Sequence, residues 1–253
     1  MNWKNLLKPI TYPMYFHTAT ERLSRLSGDA KVSYSQTGED LIVHSVLRHL
    51  AIERPTYLDI GANDPVFLSN TYRLYRQGFR GVCVEPNPKL ASVFKRKRPR
   101  DEMLEVAVGS TAGTAVLHVV SDPLLSTISL PQAEVFATTS KHHITQEVEV
   151  PVVPFMDLVR DHFDAAPDLV SLDTEGTDLE ILESIDFTRC RPLIFCVETL
   201  SYDEHGHSHK IAEIGEHMEA NGYFVFGDTY LNTIFVDRTV WQERMKARFE
   251  KSE

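Results

Sequence analysis

The chain is poor in cysteine, tryptophan and basic charge. Its 253 residues include 3 Cys and 2 Trp, and the formal net charge is -10. Cys83, Cys190 and Cys196 show no paired spacing. That excludes a disulfide framework or a structural zinc site and suits a reducing, cytoplasmic protein. The acidic balance argues against a nucleic-acid partner, whose phosphates call for a surplus of Lys and Arg. The one basic run, Lys95-Arg96-Lys97-Arg98-Pro99-Arg100, reads as a solvated helix end that complements the helix dipole. No stretch reaches the roughly 18 apolar residues of a membrane span. Also missing are the nucleophile elbow G-x-S-x-G and the Walker lysine loop, so hydrolase and kinase readings have little support.

The composition that remains, 42% hydrophobic and 25% charged, is that of an ordinary globular protein. The length suits one domain with additions. We expect an N-terminal extension over 1–35, a main domain over 36–240 and a C-terminal tail over 241–253. Met1 to Phe16 carries Trp3, Leu6, Leu7, Ile10, Tyr12, Met14, Tyr15 and Phe16 without a continuous apolar core. It reads as a packed extension; the sharper alternative is a loose contact with a membrane surface or with a second copy of the chain.

Apolar runs and helical patterns alternate through the middle of the chain. Thr56 to Ile60, Gly81 to Glu85, Met103 to Val108, Leu169 to Asp173 and Leu193 to Glu198 read as strands. Helices are expected over Ser69 to Gln77 with Ser69 as N-cap, and from Asn87-Pro88 to about Arg98, where Asn caps and Pro takes the first helical position. Others are expected over Pro154 to Phe163, Thr177 to Ile185 and Ser208 to Ala220. Strand and helix in alternation imply a doubly wound α/β fold with a mainly parallel sheet. Thr114 to Val120 is an added strand, and Glu147 to Val153 alternates with its valines on one face. Ser121 to Thr145 reads as a long irregular loop, and such loops are usually functional. Tyr223 to Phe226 and Thr233 to Val236 make an antiparallel hairpin.

Ligands of open α/β sheets bind beyond the carboxyl ends of the strands, at the point where strand order reverses. The residues expected there are Asp59 to Asp64, Glu85, Ala107 to Gly109, Asp173 to Gly176 and Glu198 to Ser201. Gly61 allows a sharp turn and close approach of a ligand. The further glycines of a pyrophosphate-binding G-x-G-x-x-G are absent, which counts against a nicotinamide dinucleotide. Glu85 can accept hydrogen bonds from both ribose hydroxyls of a nucleoside, or can serve the dipole of the helix that follows. Asp173 and Glu198 are expected side by side on adjacent strands. Two carboxylates so close call for a positive partner: a divalent cation, a substrate amine or a basic side chain. His205, His207 and His209 follow; they read as a surface loop, or as the source of a general base.

Four motifs taken in order resemble the FkbM-type methyltransferases. They are Ser35-Gln36-Thr37-Gly38-Glu39-Asp40; Asp59-Ile60-Gly61-Ala62-Asn63-Asp64-Pro65 with Ser69-Asn70-Thr71; Val84-Glu85-Pro86-Asn87-Pro88; and Leu172-Asp173-Thr174-Glu175-Gly176 with Glu180-Ile181-Leu182. The resemblance covers about Tyr34 to Val236. It implies a class I methyltransferase fold, a seven-stranded sheet whose last strand is antiparallel, and S-adenosylmethionine as cofactor. It implies that Gly61, with Asp59, Ala62, Asn63, Ser69 and Asn70, holds the methionine part and that Glu85, with Pro86, holds the ribose. Gln36, Gly38, Glu39 and Asp40 would line the cofactor side, joined by Ala107, Val108 and Asp173. Family members methylate hydroxyls of sugars, glycans and secondary metabolites, so the expected partner is a small-molecule or glycan acceptor. Our expectation for the chemistry is that Asp173 and Glu198 activate the acceptor, directly or through Mg²⁺ or Mn²⁺, helped by His205 or His207. The alternative is a cofactor-binding partner without catalysis in a glycan-assembly complex.

Overall fold

The computed structural model describes residues 31–139, 142–202 and 207–250. The chain divides into two compact units, 1–33 and 34–253. Nearly all of the first unit, including Met1 to Phe16, lies outside the described residues. The elements of the second are, in order, α1 (Glu39–His49), β1 (Tyr57–Ile60), α2 (Tyr72–Arg76), β2 (Gly81–Val84), α3 (Pro88–Lys97) and β3 (Glu102–Leu104). Then come β4 (Ala107–Gly109), β5 (Gly113–Val120), α4 (Leu130–Thr139), β6 (Ile144–Pro154), α5 (Phe155–His162), β7 (Leu169–Leu172) and α6 (Asp178–Glu183). The chain continues through β8 (Ile194–Glu198), β9 (Leu200–Tyr202), β10 (Ser208–Lys210), α7 (Ala212–Ala220), β11 (Tyr223–Asp228), β12 (Asn232–Asp237) and α8 (Arg238–Glu250). No helix among the described residues is long and apolar enough to cross a membrane.

The seven-stranded sheet runs β11-β12-β8-β7-β1-β2-β3. β1 is parallel to both β2 and β7, and β8 is parallel to β7. β12, the last strand in the chain, is antiparallel to both its neighbours. This is the doubly wound class I methyltransferase arrangement expected. Alternation of side chains along each strand sorts the core into two layers. Leu58, Ile60, Val82, Val84, Val170, Leu172, Phe195 and Val197 pack on one face with Phe155 of α5, Ile181 of α6 and Met218 of α7. Tyr57, Cys83, Leu169, Ile194, Cys196, Ile234 and Val236 pack on the other with Val43, Val46 and Leu47 of α1, Leu74 of α2 and Phe94 of α3. The chain order from β1 runs one way through β2 and β3 and the other way through β7 and β8. The reversal therefore falls between β1 and β7, and their carboxyl ends flank the crevice.

Four expectations need correction. The single strand Met103 to Val108 is two strands: β3 closes the large sheet, whereas β4 leaves it to pair with β6 in a separate three-stranded sheet. Ala107 and Val108 are thus buried against Val152 and Val153, not set at the large sheet's carboxyl edge. The irregular segment after Ser121 contains helix α4, with Ala133 and Phe136 buried one turn apart on one face. Ser208 to Lys210 is not the start of a helix but a strand pairing with β9; α7 begins at Ala212. The helix expected from Ser69 begins at Tyr72, although the Ser69 hydroxyl does accept from the Tyr72 amide at 3.1 Å.

Candidate active site at the carboxyl edge

Register places five residues on one rung across the sheet. Ile60 pairs with Val84 and with Leu172, Leu172 pairs with Val197, and Glu198 pairs with Asn232. One step further along are Glu85, Gly61, Asp173, Glu198 and Asn232. Two positions back along the strands, and therefore on the same face, lie Cys83, Asp59, Ser171, Cys196 and Ile234. The expected line of strand-end carboxylates is therefore physically continuous, and the glycine sits at its centre.

Gly61 sits where a side chain has no room. Its φ is +75°, and a Cβ there would lie 1.7 Å from the Asp173 carbonyl oxygen. The glycine thus serves the close approach of two backbones as well as any approach of a ligand. Gly61→Ala is expected to cost about 3 kcal/mol or more, since a backbone clash adds to the left-handed strain. A thermal melt unchanged by this substitution would refute that account.

Glu85 is buried and spends one carboxylate oxygen on each of two backbone amides. Oε2 accepts from Asn63 at 3.0 Å and Oε1 from Asn87 at 2.8 Å. A carboxylate has about four lone-pair sites, so two remain for ribose hydroxyls. Burial, helped by the nearby Asp59 charge, raises its pKa to about 7 against the two amide hydrogen bonds, which lower it. Asn87 also caps α3 through the Lys89 amide, so one turn holds both the helix and the carboxylate.

The loop after Gly61 is braced from below. Asp59 accepts from Thr71 Oγ1 and lies 4.0 Å from Arg98 Nη1. Arg98 also donates to Ser69 Oγ at 3.3 Å, Thr71 Oγ1 at 3.0 Å and Tyr57 Oη at 3.3 Å, and pairs with Asp101 at 2.6 Å. Its guanidinium lies over the Phe94, Tyr75 and Tyr57 rings. The basic run is therefore not a uniformly solvated helix end. Lys95, Arg96 and Lys97 are exposed, but Arg98 is fully buried. Asp59 itself is a brace within this network. Asn70 donates to Ser171 Oγ at 3.2 Å, tying the same loop to β7. Asn63 and Leu68 have φ of 45° and 57°, so the loop holds two non-glycine residues in the left-handed region.

The segment before α1 lies against this loop, for Ser35 bridges to Leu68. Gly38 is the N-cap, with φ 101°, and Gln36 is exposed. Asp40 is buried and accepts from the Tyr34 amide at 2.9 Å and from Ser35 Oγ at 3.1 Å. Glu39 is fully buried. It accepts from the Thr37 amide at 2.9 Å, Thr229 Oγ1 at 2.7 Å and Asn232 Nδ2 at 3.1 Å. Burial raises its pKa, but the Thr37 and Thr229 hydrogen bonds outweigh burial and hold it below the usual value.

Asp173, Glu175 and Glu198 converge, each offering an oxygen within 4.8 Å of the others. All three are half-buried. Burial and the Asp178 charge raise Asp173 to about 7 against an opposing hydrogen bond from Glu198. Burial and the Asp173 charge push Glu175 and Glu198 well above the usual range. Glu175 turns through φ 56°. Asp178 fixes that turn by accepting from the Thr174 amide at 3.0 Å and the Gly176 amide at 3.3 Å. Thr127 Oγ1 donates to the Glu175 carbonyl at 2.8 Å, and a Cβ at Gly176 would touch Gln132 and Ser129. The segment through α4 therefore lies against the acidic turn.

His205 lies outside the described residues, and His207 is exposed just ahead of β10. His209 is exposed on β10 opposite Ser201. Sequence reasoning missed Arg98, Asn232 and the convergence of Glu175. The signal available for Arg98 was Asp101 three residues on; for Asn232 it was a polar residue opening an otherwise apolar strand.

A family model described as the methyltransferase FkbM domain matches residues 59–225. No curated protein matches the chain. Solved structures similar to it include a TehB-like SAM-dependent methyltransferase from Corynebacterium glutamicum, at 14% identity over 89% of this chain and 99% of that one, with a TM-score of 0.40. Another is magnesium protoporphyrin IX methyltransferase from Synechocystis with bound SAM, at 12% identity, 93% and 96% coverage and a TM-score of 0.39. A third is an O-methyltransferase from Bacillus cereus in complex with SAH, at 11% identity, 92% and 94% coverage and a TM-score of 0.42.

Proposed function

This chain belongs to the FkbM methyltransferase domain family, and on that premise we propose that it moves a methyl group from S-adenosylmethionine to a hydroxyl oxygen of a sugar, glycan or other small molecule. The observation that carries the reading is the rung at the switch point, with buried Glu85 at one end and Asp173 and Glu198 beyond Gly61. Glu85 receives the ribose hydroxyls on its free lone pairs. The Gly61–Asn70 loop, with Asn63, Ser69 and Asn70, cradles the methionine part, and residues 36–40 close the same side. Asp173, at the next strand end beyond Gly61, is the residue that would face the transferring methyl. Transfer breaks the carbon–sulfur bond, leaves the electron pair on sulfur and forms the carbon–oxygen bond, so the chain's main contribution is orientation. The hydroxyl must also lose its proton, and Asp173 and Glu198 are the groups placed to promote that loss. The acceptor enters from the side covered by the Ser121–Thr139 segment, which already contacts the Glu175 turn. Residues 36–240 make up the working domain on this reading.

Calorimetry with S-adenosylmethionine and S-adenosylhomocysteine, followed by labelled-methyl transfer to a panel of hydroxyl acceptors, tests it. Both ligands are expected to bind. Asp173→Asn is expected to lower transfer by about 100-fold or more. Failure of both ligands to bind overturns the cofactor assignment. Binding without transfer to any acceptor overturns the catalytic part and favours a non-catalytic partner.

A further inference from the structure

We propose that Asp173, Glu175 and Glu198, together with the side-chain oxygen of Asn232, form a binding site for one hard divalent cation of the Mg²⁺, Mn²⁺ or Ca²⁺ kind. The role given to the ion rests on the methyl-transfer reading above; its binding does not.

Three carboxylates from two adjacent strand ends reach within 4.8 Å of one another. Oxygens on opposite sides of a cation stand apart by twice the metal–oxygen distance, about 4 Å for Mg²⁺ and about 5 Å for Ca²⁺. The cluster already has that spread. Among the described residues, no Lys, Arg or His forms an ion pair with any of the three. Three like charges this close repel unless protons or a cation lie between them.

Asn232 is the independent observation. It is 4% exposed, and its Oδ1 has no hydrogen-bond partner among the described residues. Leaving a buried acceptor unpaired costs free energy. Its Nδ2 is committed to Glu39 at 3.1 Å, which makes the oxygen the free end of the amide. Asn232 stands directly opposite Glu198, so the two side chains rise from the same face with Cβ atoms about 5 Å apart. The free oxygen thus belongs to the neighbourhood of the cluster, and a neutral amide oxygen is a ligand type that hard cations take alongside carboxylates. Four protein oxygens leave coordination positions for water or an acceptor oxygen. A cation there raises the acidity of a bound hydroxyl, whose proton passes to solvent.

The experiment uses the full chain, stripped with EDTA and then titrated with Mn²⁺. Free Mn²⁺ is read by electron paramagnetic resonance, and S-adenosylhomocysteine binding is measured on the same sample with and without EDTA. One Mn²⁺ per chain is expected. Asp173→Asn and Glu198→Gln are each expected to weaken it at least tenfold. Asn232→Ala leaves all three carboxylates in place and is expected to weaken it roughly three- to tenfold. Melting curves check that each variant is folded. If a carboxylate variant does not fold, Asn232→Ala decides the matter. Absence of Mn²⁺ binding to the wild type at millimolar concentration overturns the proposal, as does unchanged affinity in a folded carboxylate variant; unchanged affinity in Asn232→Ala overturns the four-oxygen site, whatever the carboxylate variants do. Mn²⁺ binding without S-adenosylhomocysteine binding supports the cation site and overturns only the cofactor reading.

Discussion

Arg98→Ala is expected to destabilise the protein by about 3–5 kcal/mol, the cost of breaking a buried ion pair by removing one partner. The side chains of Arg98 and Asp101 are both fully buried, 2.6 Å apart, with Asp59 4.0 Å away. Removing the guanidinium leaves two carboxylates in the interior with their main positive charge gone, and opens a hole against the Phe94, Tyr75 and Tyr57 rings. An ordinary domain has only about 5–15 kcal/mol of stability, so the loss is a large share of the whole. Lysine restores charge without the planar fork that reaches Ser69, Thr71 and Tyr57 together, and Arg98→Lys is expected to recover only part of the loss. Urea denaturation at neutral pH measures both. A midpoint in Arg98→Ala equal to that of the wild type would show that the network contributes nothing. Lys97, one residue back and exposed, provides the contrast. A surface cation of this kind is usually worth about 1 kcal/mol or less.

That contrast marks where the sequence is legible and where it is not. A continuous basic run looks the same whether its members are solvated or buried, because the deciding partners are distant. Arg98 meets Asp59, Ser69 and Thr71 only after the strand–loop–helix unit has folded. The parallel strands and their order were readable because strand length, apolar content and helical spacing are local. The order of carboxylates along the edge followed from that order alone. Helix α4 was hidden by Pro131, which reads as a breaker within a polar stretch but is tolerated in a first helical turn. The division of Met103 to Val108 was hidden because β3 and β4 carry similar short apolar patterns. What separates them is a partner, β6, whose paired residues lie 45 positions further along the chain (Ala107 with Val152). Likewise the free oxygen of Asn232 has meaning only in register with Glu198.

Cofactor affinity is expected to weaken as pH falls through about 7, and Glu85 is the group responsible. Burial holds its pKa at about 7, so the carboxylate and the neutral acid are equally populated near that pH in the free protein. On the ribose role proposed for Glu85, hydroxyls that donate to the carboxylate stabilise the charged form, so the cofactor would bind the ionised protein and binding would lower the pKa. Affinity therefore levels off above pH 8 and falls about tenfold between pH 8 and pH 6 through this one group. Folding has the opposite sign. A carboxyl whose pKa is raised on folding favours the folded state at low pH. That contribution is full below the ordinary value of 4.5 and is lost as pH rises through about 7. The apo protein and the complex should accordingly drift in opposite directions with pH as far as Glu85 is concerned. Calorimetry with S-adenosylhomocysteine across pH 6–8 measures the binding slope. Glu85→Gln removes the titrating group, but it also turns an amide donor toward the backbone N–H of Asn63 or Asn87, each of which needs an acceptor. Its affinity should fall by about 10- to 100-fold at pH 8, as for the loss of a charged hydrogen-bond acceptor. Its residual affinity should no longer depend on pH between 6 and 8. A slope that survives in Glu85→Gln would assign the titration to another group and remove Glu85 from the ribose.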